Sequence, residues 1–258
     1  EKMTREELIN LLSSSANLME ERDDIIDYIN SLKVGNSSDN ILKGGEGNDI
    51  FVGSLGDDTI DGEGHSTGDS VDYSKLTAGV TITATGASAY TVEKEDGTDT
   101  LTNIENINAT DFDDILYGDA SSNTLYGGNG DDYIDGKAGD DFLYGEADDD
   151  ILIGGAGNDL LDGGTGNDTA DYSEASEDLE VNIEDGVDKF ISTSQGSDTF
   201  LGIEGIIGGS GNDTLTGNND INTLKGGYGN DTLIGRDGND TLDGGKNQDS
   251  HTIRITNP

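Results

Sequence analysis

The chain has 258 residues, of which 55 are acidic and 13 basic, and its formal net charge is −42 at pH 7. This charge repels phosphate and so excludes nucleic acid as a partner, while the absence of cysteine excludes disulfides and thiolate metal sites. No apolar run approaches the roughly 18 residues that a membrane-spanning helix requires, so no transmembrane segment is expected.

Residues 1–34 predict an N-terminal α-helical cap. Thr4 and Glu7 have the spacing of a capping box. The apolar residues that follow recur at helical spacing: Leu8, Leu11, Leu12, Leu18, Met19, Ile25, Ile26, Ile29 and Leu32. Four of them are seven residues apart, as in a coiled coil. We favour a cap, because the first coil of a solenoid needs a cover for its core.

Beyond residue 34 the chain is dominated by a nine-residue repeat, Gly-Gly-x-Gly-x-Asp-x-U-x, in which U is a large aliphatic residue. Sixteen such nonapeptides, some degenerate, lie in three blocks, residues 35–72, 109–171 and 208–252. The U position is apolar in fifteen of them and fails only at His251. A fixed period of this kind predicts an all-β solenoid whose repeats stack around one shared core.

Two related inserts, residues 73–108 and 172–207, separate the blocks. The tripeptide Asp-Tyr-Ser that starts at Asp72 recurs 99 residues later at Asp171, and 99 residues are eleven nonapeptides. Each insert has 36 residues, the length of four nonapeptides, which favours coils that stay in phase with the roll. The alternation at Val80–Ile82 leaves a β-hairpin open as the alternative. The tail, residues 253–258, is expected to add a closing strand.

The repeat predicts calcium sites in its turns. Glycine reaches backbone conformations with positive φ, so the first six positions can turn sharply and leave carbonyl groups without a ladder partner. A hard cation with six to eight oxygen ligands satisfies such carbonyls together with aspartate carboxylates. Zinc prefers Cys and His, and the chain has only two His residues. Magnesium retains its waters, so calcium fits best.

The predicted ligands share the sixth position of the repeat and the glycines of the turn. We expect roughly six to ten calcium ions, each with six to eight oxygen ligands. The predicted carboxylates are Asp49, Asp58, Asp114, Asp132, Asp141, Asp150, Asp159, Asp168, Asp213, Asp231, Asp240 and Asp249. Amides replace them at Asn40, Asn123 and Asn222, where weaker sites are expected. The predicted turn glycines are Gly45, Gly47, Gly128, Gly130, Gly139, Gly155, Gly157, Gly164, Gly166, Gly209, Gly211, Gly227, Gly229 and Gly238.

This nonapeptide resembles the calcium-binding repeat of the RTX (hemolysin-type) secreted proteins. The resemblance implies a parallel β-roll with two facing sheets, two nonapeptides per coil, and calcium in the turns between one repeat and the next but one. Asp132 would then share a site with Asp150, as would Asp141 with Asp159, Asp150 with Asp168, Asp213 with Asp231, and Asn40 with Asp58. The two-residue insertion at Gly62 and Glu63 weakens the expectation for Asp49 and Asp69.

The resemblance also implies export by a type I secretion machinery and folding on calcium binding outside the cell. We therefore interpret the chain as a structural module of a larger secreted adhesin, surface-layer or toxin-like protein, with a cell surface or polysaccharide as the parent protein's partner. The start at Glu1 fits a module, and Asn257-Pro258 departs from the usual secretion terminus.

No catalytic residue is predicted, and the chain is not expected to be an enzyme. Neither His-Glu-x-x-His nor Gly-x-Ser-x-Gly occurs in the sequence. The alternative is the RTX module of a secreted metalloprotease, lipase or alginate epimerase, with catalysis outside this chain. Ice binding is disfavoured, because the third turn position carries no regular rank of threonines.

Overall fold

The computed structural model describes residues 32–64, 68–183, 189–191, 196–246 and 250–252, and for 189–191 and 250–252 the description covers the backbone. These residues form 25 strands in three hydrogen-bonded sheets and no helix. The predicted all-β β-roll is confirmed. In the described part of the chain, no helix has the length and hydropathy to cross a bilayer.

The strands are numbered in chain order, and their order within each sheet is as follows. The first sheet contains β1 (Leu32–Val34), β3 (Ile50–Val52), β5 (Ser70–Asp72), β9 (Asn106–Asn108), β11 (Thr124–Asn129), β13 (Phe142–Ala147), β15 (Leu160–Thr165) and β19 (Thr199–Leu201). The second contains β2 (Ile41–Gly45), β4 (Thr59–Glu63), β8 (Gly97–Thr102), β7 (Ala89–Lys94), β6 (Thr81–Gly86), β10 (Ile115–Tyr117), β12 (Tyr133–Asp135), β14 (Ile151–Ile153), β16 (Thr169–Asp171), β20 (Gly205–Ile207), β22 (Thr223–Lys225) and β24 (Thr241–Asp243). The third contains β18 (Lys189–Ile191), β17 (Glu180–Asn182), β21 (Thr214–Thr216), β23 (Thr232–Ile234) and β25 (Ser250–Thr252).

Each regular coil adds one strand to each face of the roll. Leu125 pairs in parallel with Leu143, and Leu143 with Leu161, so coils in the regular part are 18 residues apart. The U residues of these strands point between the faces and form a single core. Leu42 and Leu242, in the terminal strands of the second sheet, are only partly buried. The core positions read from the nonapeptide are thus confirmed.

The faces are less uniform than two continuous sheets. From β9 to β16 the chain alternates between the first and second sheets, and from β20 to β25 it alternates between the second and third. The second sheet therefore forms one face over the whole roll. The opposite face consists of the first and third sheets, which meet at the second insert, where β18 contacts β19.

The first insert adopts an arrangement that differs from both sequence interpretations. β6, β7 and β8 form an antiparallel meander that is spliced into the second sheet, with β8 parallel to β4 and β6 parallel to β10. On the opposite face β5 pairs directly with β9. The 36 residues thus make one coil, not two. The meander lies within the sheet, and Ile82, Tyr90, Val92 and Leu101 are buried in the core.

The second insert repeats this pattern on the opposite face. β17 pairs antiparallel with β18 and parallel with β21, while β19 pairs in parallel with β15. The change of face follows from the offset between the inserts. The 99-residue step consists of one insert, which makes one coil, and of the seven nonapeptides in residues 109–171. Two nonapeptides make one coil and seven is an odd number, so the step ends half a coil further on.

The N-terminal cap requires one correction. Helix was predicted through residue 34, but Leu32–Val34 forms β1, which pairs in parallel with β3. A three-residue strand there gains ladder hydrogen bonds along the edge of β3, which outweigh the local helical spacing. The rest of the predicted cap, residues 1–31, lies outside the described residues, and so do residues 253–258 of the predicted closing strand.

Candidate metal centre

The sixth-position residues form two columns, one along each edge of the roll. At most steps of each column the backbone N–H of one residue donates to the side-chain oxygen of the residue one coil later. The exceptions are Glu105 and Glu204, whose N–H groups donate to the carbonyl oxygens of Asp69 and Asp168. One column runs through Asn40, Asp58 and Asp99, and then through Asp114, Asp132, Asp150, Asp168, Glu204, Asn222 and Asp240. The other runs through Asp49, Asp69, Glu105, Asn123, Asp141, Asp159 and Asp198, and then through Asp213 and Asp231.

Asp150 shows the bonding of a regular position. Its Oδ1 accepts the backbone N–H of Asp132 at 2.8 Å, and its own N–H donates to Asp168 Oδ1 at 2.9 Å. Asp150 is buried, and its Oδ2 has no hydrogen-bond partner among the described residues. One oxygen therefore holds the coils together, and the other is left for a ligand.

The same unpaired inner oxygen occurs at most regular positions. Among the described residues, a buried Oδ2 without a hydrogen-bond partner is found at Asp49, Asp132, Asp141, Asp150, Asp159, Asp168 and Asp240. Leaving a buried carboxylate oxygen unpaired is costly. An unpaired, buried carboxylate oxygen that recurs at the same position of successive repeats is therefore evidence for a positively charged partner.

The first glycine of each repeat leaves the space into which these oxygens point. A Cβ on Gly145 would meet both Asp150 Oδ2 and the carbonyl oxygen of Gly163, the latter at 2.7 Å. A Cβ on Gly136 would likewise meet Asp141 Oδ2 and the carbonyl oxygen of Gly154. Carboxylate and carbonyl oxygens thus converge beside each glycine, a donor set that suits calcium.

Burial raises the pKa of five of these carboxyl groups, those of Asp132, Asp141, Asp150, Asp159 and Asp168, and neighbouring acids raise it further. The pKa of Asp132 rises to about 8, and the pKa values of Asp141 and Asp150 rise to about 7. Those of Asp159 and Asp168 rise to about 6. Without a bound cation the columns therefore retain protons near neutral pH. A metal that binds there must displace them.

Metal ligation by the predicted residues stays a prediction, but the structure divides them into groups. Both carboxylate oxygens accept protein hydrogen bonds at Asp58, Asp114 and Asp213. Asp231 Oδ1 accepts the backbone N–H of Asp213, its predicted site partner, and Asp249 lies outside the described residues. In the described part of the chain no three His, Cys, Asp or Glu side chains cluster as a metal site. Carbonyl oxygens would therefore complete any ligand set.

The asparagines at the sixth position of the repeat form hydrogen bonds within the protein. Asn123 Oδ1 accepts the N–H of Asp119 at 2.9 Å, and its Nδ2 donates to the hydroxyl of Tyr90 at 3.0 Å. Asn40 Nδ2 donates to the carbonyl of Ser38 at 2.6 Å, and Asn222 Nδ2 donates to that of Glu204 at 3.4 Å. These amides supply donors where an aspartate would need a cation.

The predicted turn glycines meet two different demands. Eleven of the fourteen have positive φ: Gly45, Gly47, Gly128, Gly130, Gly139, Gly155, Gly157, Gly164, Gly227, Gly229 and Gly238. Gly166, Gly209 and Gly211 do not have positive φ, but a Cβ on each would clash with a backbone carbonyl of the preceding coil. At those three positions close approach of the coils requires glycine.

The sequence interpretation missed the column members within the inserts. Asp99 Oδ2 accepts the hydroxyl of Tyr73 at 2.8 Å, and Asp198 Oδ2 accepts that of Tyr172 at 2.7 Å. The 99-residue offset already paired both aspartates and both tyrosines. They were not assigned to sites because neither insert follows the nonapeptide pattern.

Comparison with known families agrees with this geometry. The sequence model of the RTX calcium-binding nonapeptide repeat (4 copies) matches residues 34–64, 108–143, 135–170, 200–221 and 216–250. The search of curated proteins returned no match. The matched segments cover more than half of the chain and include the columns described above, apart from Asp69, Asp99, Glu105 and Asp198. The chain belongs to the RTX calcium-binding nonapeptide-repeat family and is a calcium-binding β-roll module.

Proposed function

We propose that this chain is a calcium-dependent folding module of a secreted protein. It is unfolded where free calcium is scarce and forms the roll when several calcium ions bind outside the cell. The observation that carries the proposal is the buried Oδ2 that has no donor among the described residues and recurs at Asp132, Asp141, Asp150, Asp159 and Asp168. A net charge of −42 adds repulsion that bound cations relieve.

Calcium-dependent folding suits passage through a type I secretion machinery. An unfolded chain fits a narrow export channel, and calcium outside the cell then stabilises only the folded form. The module therefore acts as the secretion-competent, structural part of a larger adhesin, surface-layer or toxin-like protein. Recognition of a cell surface or polysaccharide belongs to the parent protein.

We assign no catalytic step to this chain. The support is the sequence, which contains neither His-Glu-x-x-His nor Gly-x-Ser-x-Gly. The buried carboxylates are instead arranged as a ladder, in which each one receives the backbone N–H of the preceding coil. If the parent protein is an enzyme, its catalytic centre lies outside these residues.

Circular dichroism during calcium and magnesium titrations tests the proposal. Calcium is expected to produce a cooperative gain of β-structure, and magnesium at the same concentration to produce little, because it keeps its waters and prefers a rigid octahedron. Isothermal titration in the same buffers reports the number of ions bound. Spectra that do not change with calcium, or that respond equally to magnesium, would contradict the proposal.

A further inference from the structure

We infer that the ammonium group of Lys94 takes the place of a bound cation between the adjacent coils that contain Asp58 and Asp99. Lys94 Nζ donates to the carbonyl oxygens of Ser54 at 2.6 Å and Gly56 at 2.7 Å. It also forms an ion pair with Asp99 Oδ1 at 2.6 Å. Two turn carbonyls and one column carboxylate are the classes of oxygen that a calcium ion would use.

The burial of this pair shows that the ammonium is part of the fold. The side chain of Lys94 is 1% exposed and that of Asp99 is fully buried. A buried lysine persists only where its charge and all its donors are met, and here three oxygens receive them. Ser54 and Gly56 are the second and fourth residues of their nonapeptide, so the lysine lies in the repeat turn itself.

Lys94 is supplied by the insert. It is the last residue of β7, and the meander brings that end of the strand next to the turn of the preceding coil. The pairing of Asp99 is then complete within the protein. Its Oδ1 accepts from Lys94 and from the N–H of Asp58, and its Oδ2 accepts from the hydroxyl of Tyr73.

The second insert provides an internal comparison. Asp198 accepts the N–H of Asp159 and the hydroxyl of Tyr172, just as Asp99 accepts those of Asp58 and Tyr73. The residue 99 positions after Lys94 is Thr193, so the second insert has no lysine at the equivalent position, and Asp159 Oδ2 is buried without a partner among the described residues. By contrast, Asp58 Oδ2 accepts the hydroxyl of Ser54 at 2.8 Å. The first copy is thus neutralised by a lysine, and the second is left for calcium.

The inference rests on the calcium binding of the proposed function and adds a position where the chain supplies its own cation. Removing Lys94 should therefore create one further calcium site. The test uses the full chain with Lys94→Ala, which leaves room for an ion. Lys75→Ala is the matched control, because Lys75 is exposed and its ammonium donates to the hydroxyl of the adjacent Ser74. Bound calcium is counted by equilibrium dialysis with elemental analysis.

We expect one more calcium per chain in Lys94→Ala than in the wild type, and no change in Lys75→Ala. A folded Lys94→Ala protein with the wild-type number of ions would overturn the inference. A wild type that binds no calcium would instead overturn the proposed function, so the two failures are distinguishable.

If Lys94→Ala does not fold, labelling of the wild type decides the matter. The calcium-loaded protein is treated with acetic anhydride, and the modified lysines are identified by peptide mass spectrometry. Lys94 is expected to react at least tenfold more slowly than Lys75, because its ammonium is buried and hydrogen-bonded. Equal labelling of the two lysines would show that Lys94 does not occupy the turn and would overturn the inference.

Discussion

The regular run from residue 127 to residue 171 and the first insert, residues 73–108, build coils of the same roll by different means. In the regular run, inner carboxylate oxygens such as that of Asp150 are buried without a donor among the described residues. In the insert, Asp99 receives hydrogen bonds from Lys94, Tyr73 and a backbone N–H. We therefore expect metal dependence to be local, because coils that supply their own donors have less need of calcium.

The two regions also differ in how their strands pair. The regular run contains only parallel pairs, each 18 residues apart in sequence. The insert contains antiparallel pairs between strands that are adjacent in the chain, β6 with β7 and β7 with β8. Local pairs close short loops at a low cost in entropy. The insert therefore has a second source of order that does not depend on the columns.

The largest expected effect is on the regular run. Asp150→Asn removes one inner carboxylate charge between Asp132 and Asp168, and it should raise the calcium concentration at the folding midpoint about tenfold, since ligand charge sets the affinity of calcium sites. Asp149→Asn is the control, because it makes the same charge change at an exposed neighbour. A calcium titration followed by circular dichroism gives both midpoints. Equal shifts in the two variants would mean that only net charge matters.

A smaller effect is expected from the buried tyrosines of the inserts. Tyr73→Phe leaves Asp99 Oδ2 without its donor, and it should lower the free energy of unfolding of the calcium-loaded protein by about 1–3 kcal/mol. Tyr126→Phe is the control, because that ring stacks on Tyr144 at 4.7 Å and retains the stacking without its hydroxyl. Urea unfolding in calcium measures the difference. A loss no greater than in the control would mean that the Tyr73 hydroxyl does not stabilise the insert.

Acidification should partly replace calcium. In the calcium-free fold the pKa of Asp132 is raised from its ordinary value of 3.8 to about 8, so the folded chain binds more protons than the unfolded chain between these values. Its stabilising contribution is complete below about pH 3.8 and is lost as the pH rises through about 8. Calcium-free protein at pH 5 should therefore show more β-structure than at pH 8. Spectra that are identical, or that change in the opposite direction, would contradict the claim that the fold buries carboxylates without a partner.

The smallest effect concerns the degenerate turns of the regular run. Glu146 stands at a position where the repeat has glycine, and its φ is 79°. This left-handed conformation costs about 1–2 kcal/mol for a residue with a side chain, and glycine loses about 0.5–1 kcal/mol through its greater freedom when unfolded. Glu146→Gly should thus stabilise the calcium-loaded protein by about 0.5–1 kcal/mol in urea unfolding. Destabilisation would indicate that the Glu146 side chain makes a necessary contact.

Much of this architecture could be predicted from the nonapeptide. Because Asp and U keep a constant spacing, residues such as Asp150 and Leu152 could be placed at the turn and in the core. The inserts could not be predicted in this way. Their length of 36 residues allows two coils of 18 or one coil with a meander, and the choice depends on long-range pairing of β8 with β4 and β6 with β10.

The donors that replace cations were also beyond prediction from the repeat. Lys94 and Tyr90 lie in an insert without the nonapeptide pattern, and only the folded meander brings them to Asp99 and Asn123. Sequence periodicity identifies residues that share a register. It does not identify a side chain that reaches that register from a different strand.

Hydrogen exchange resolved by peptide mass spectrometry tests the central claim most directly. Exchange is compared in calcium, in magnesium and in chelator at one pH. We expect peptides from residues 127–171 to be protected in calcium and to lose that protection in both magnesium and chelator, with a larger loss than peptides from residues 81–102. Equal protection of residues 127–171 in all three conditions would contradict the claim that calcium holds the regular columns together.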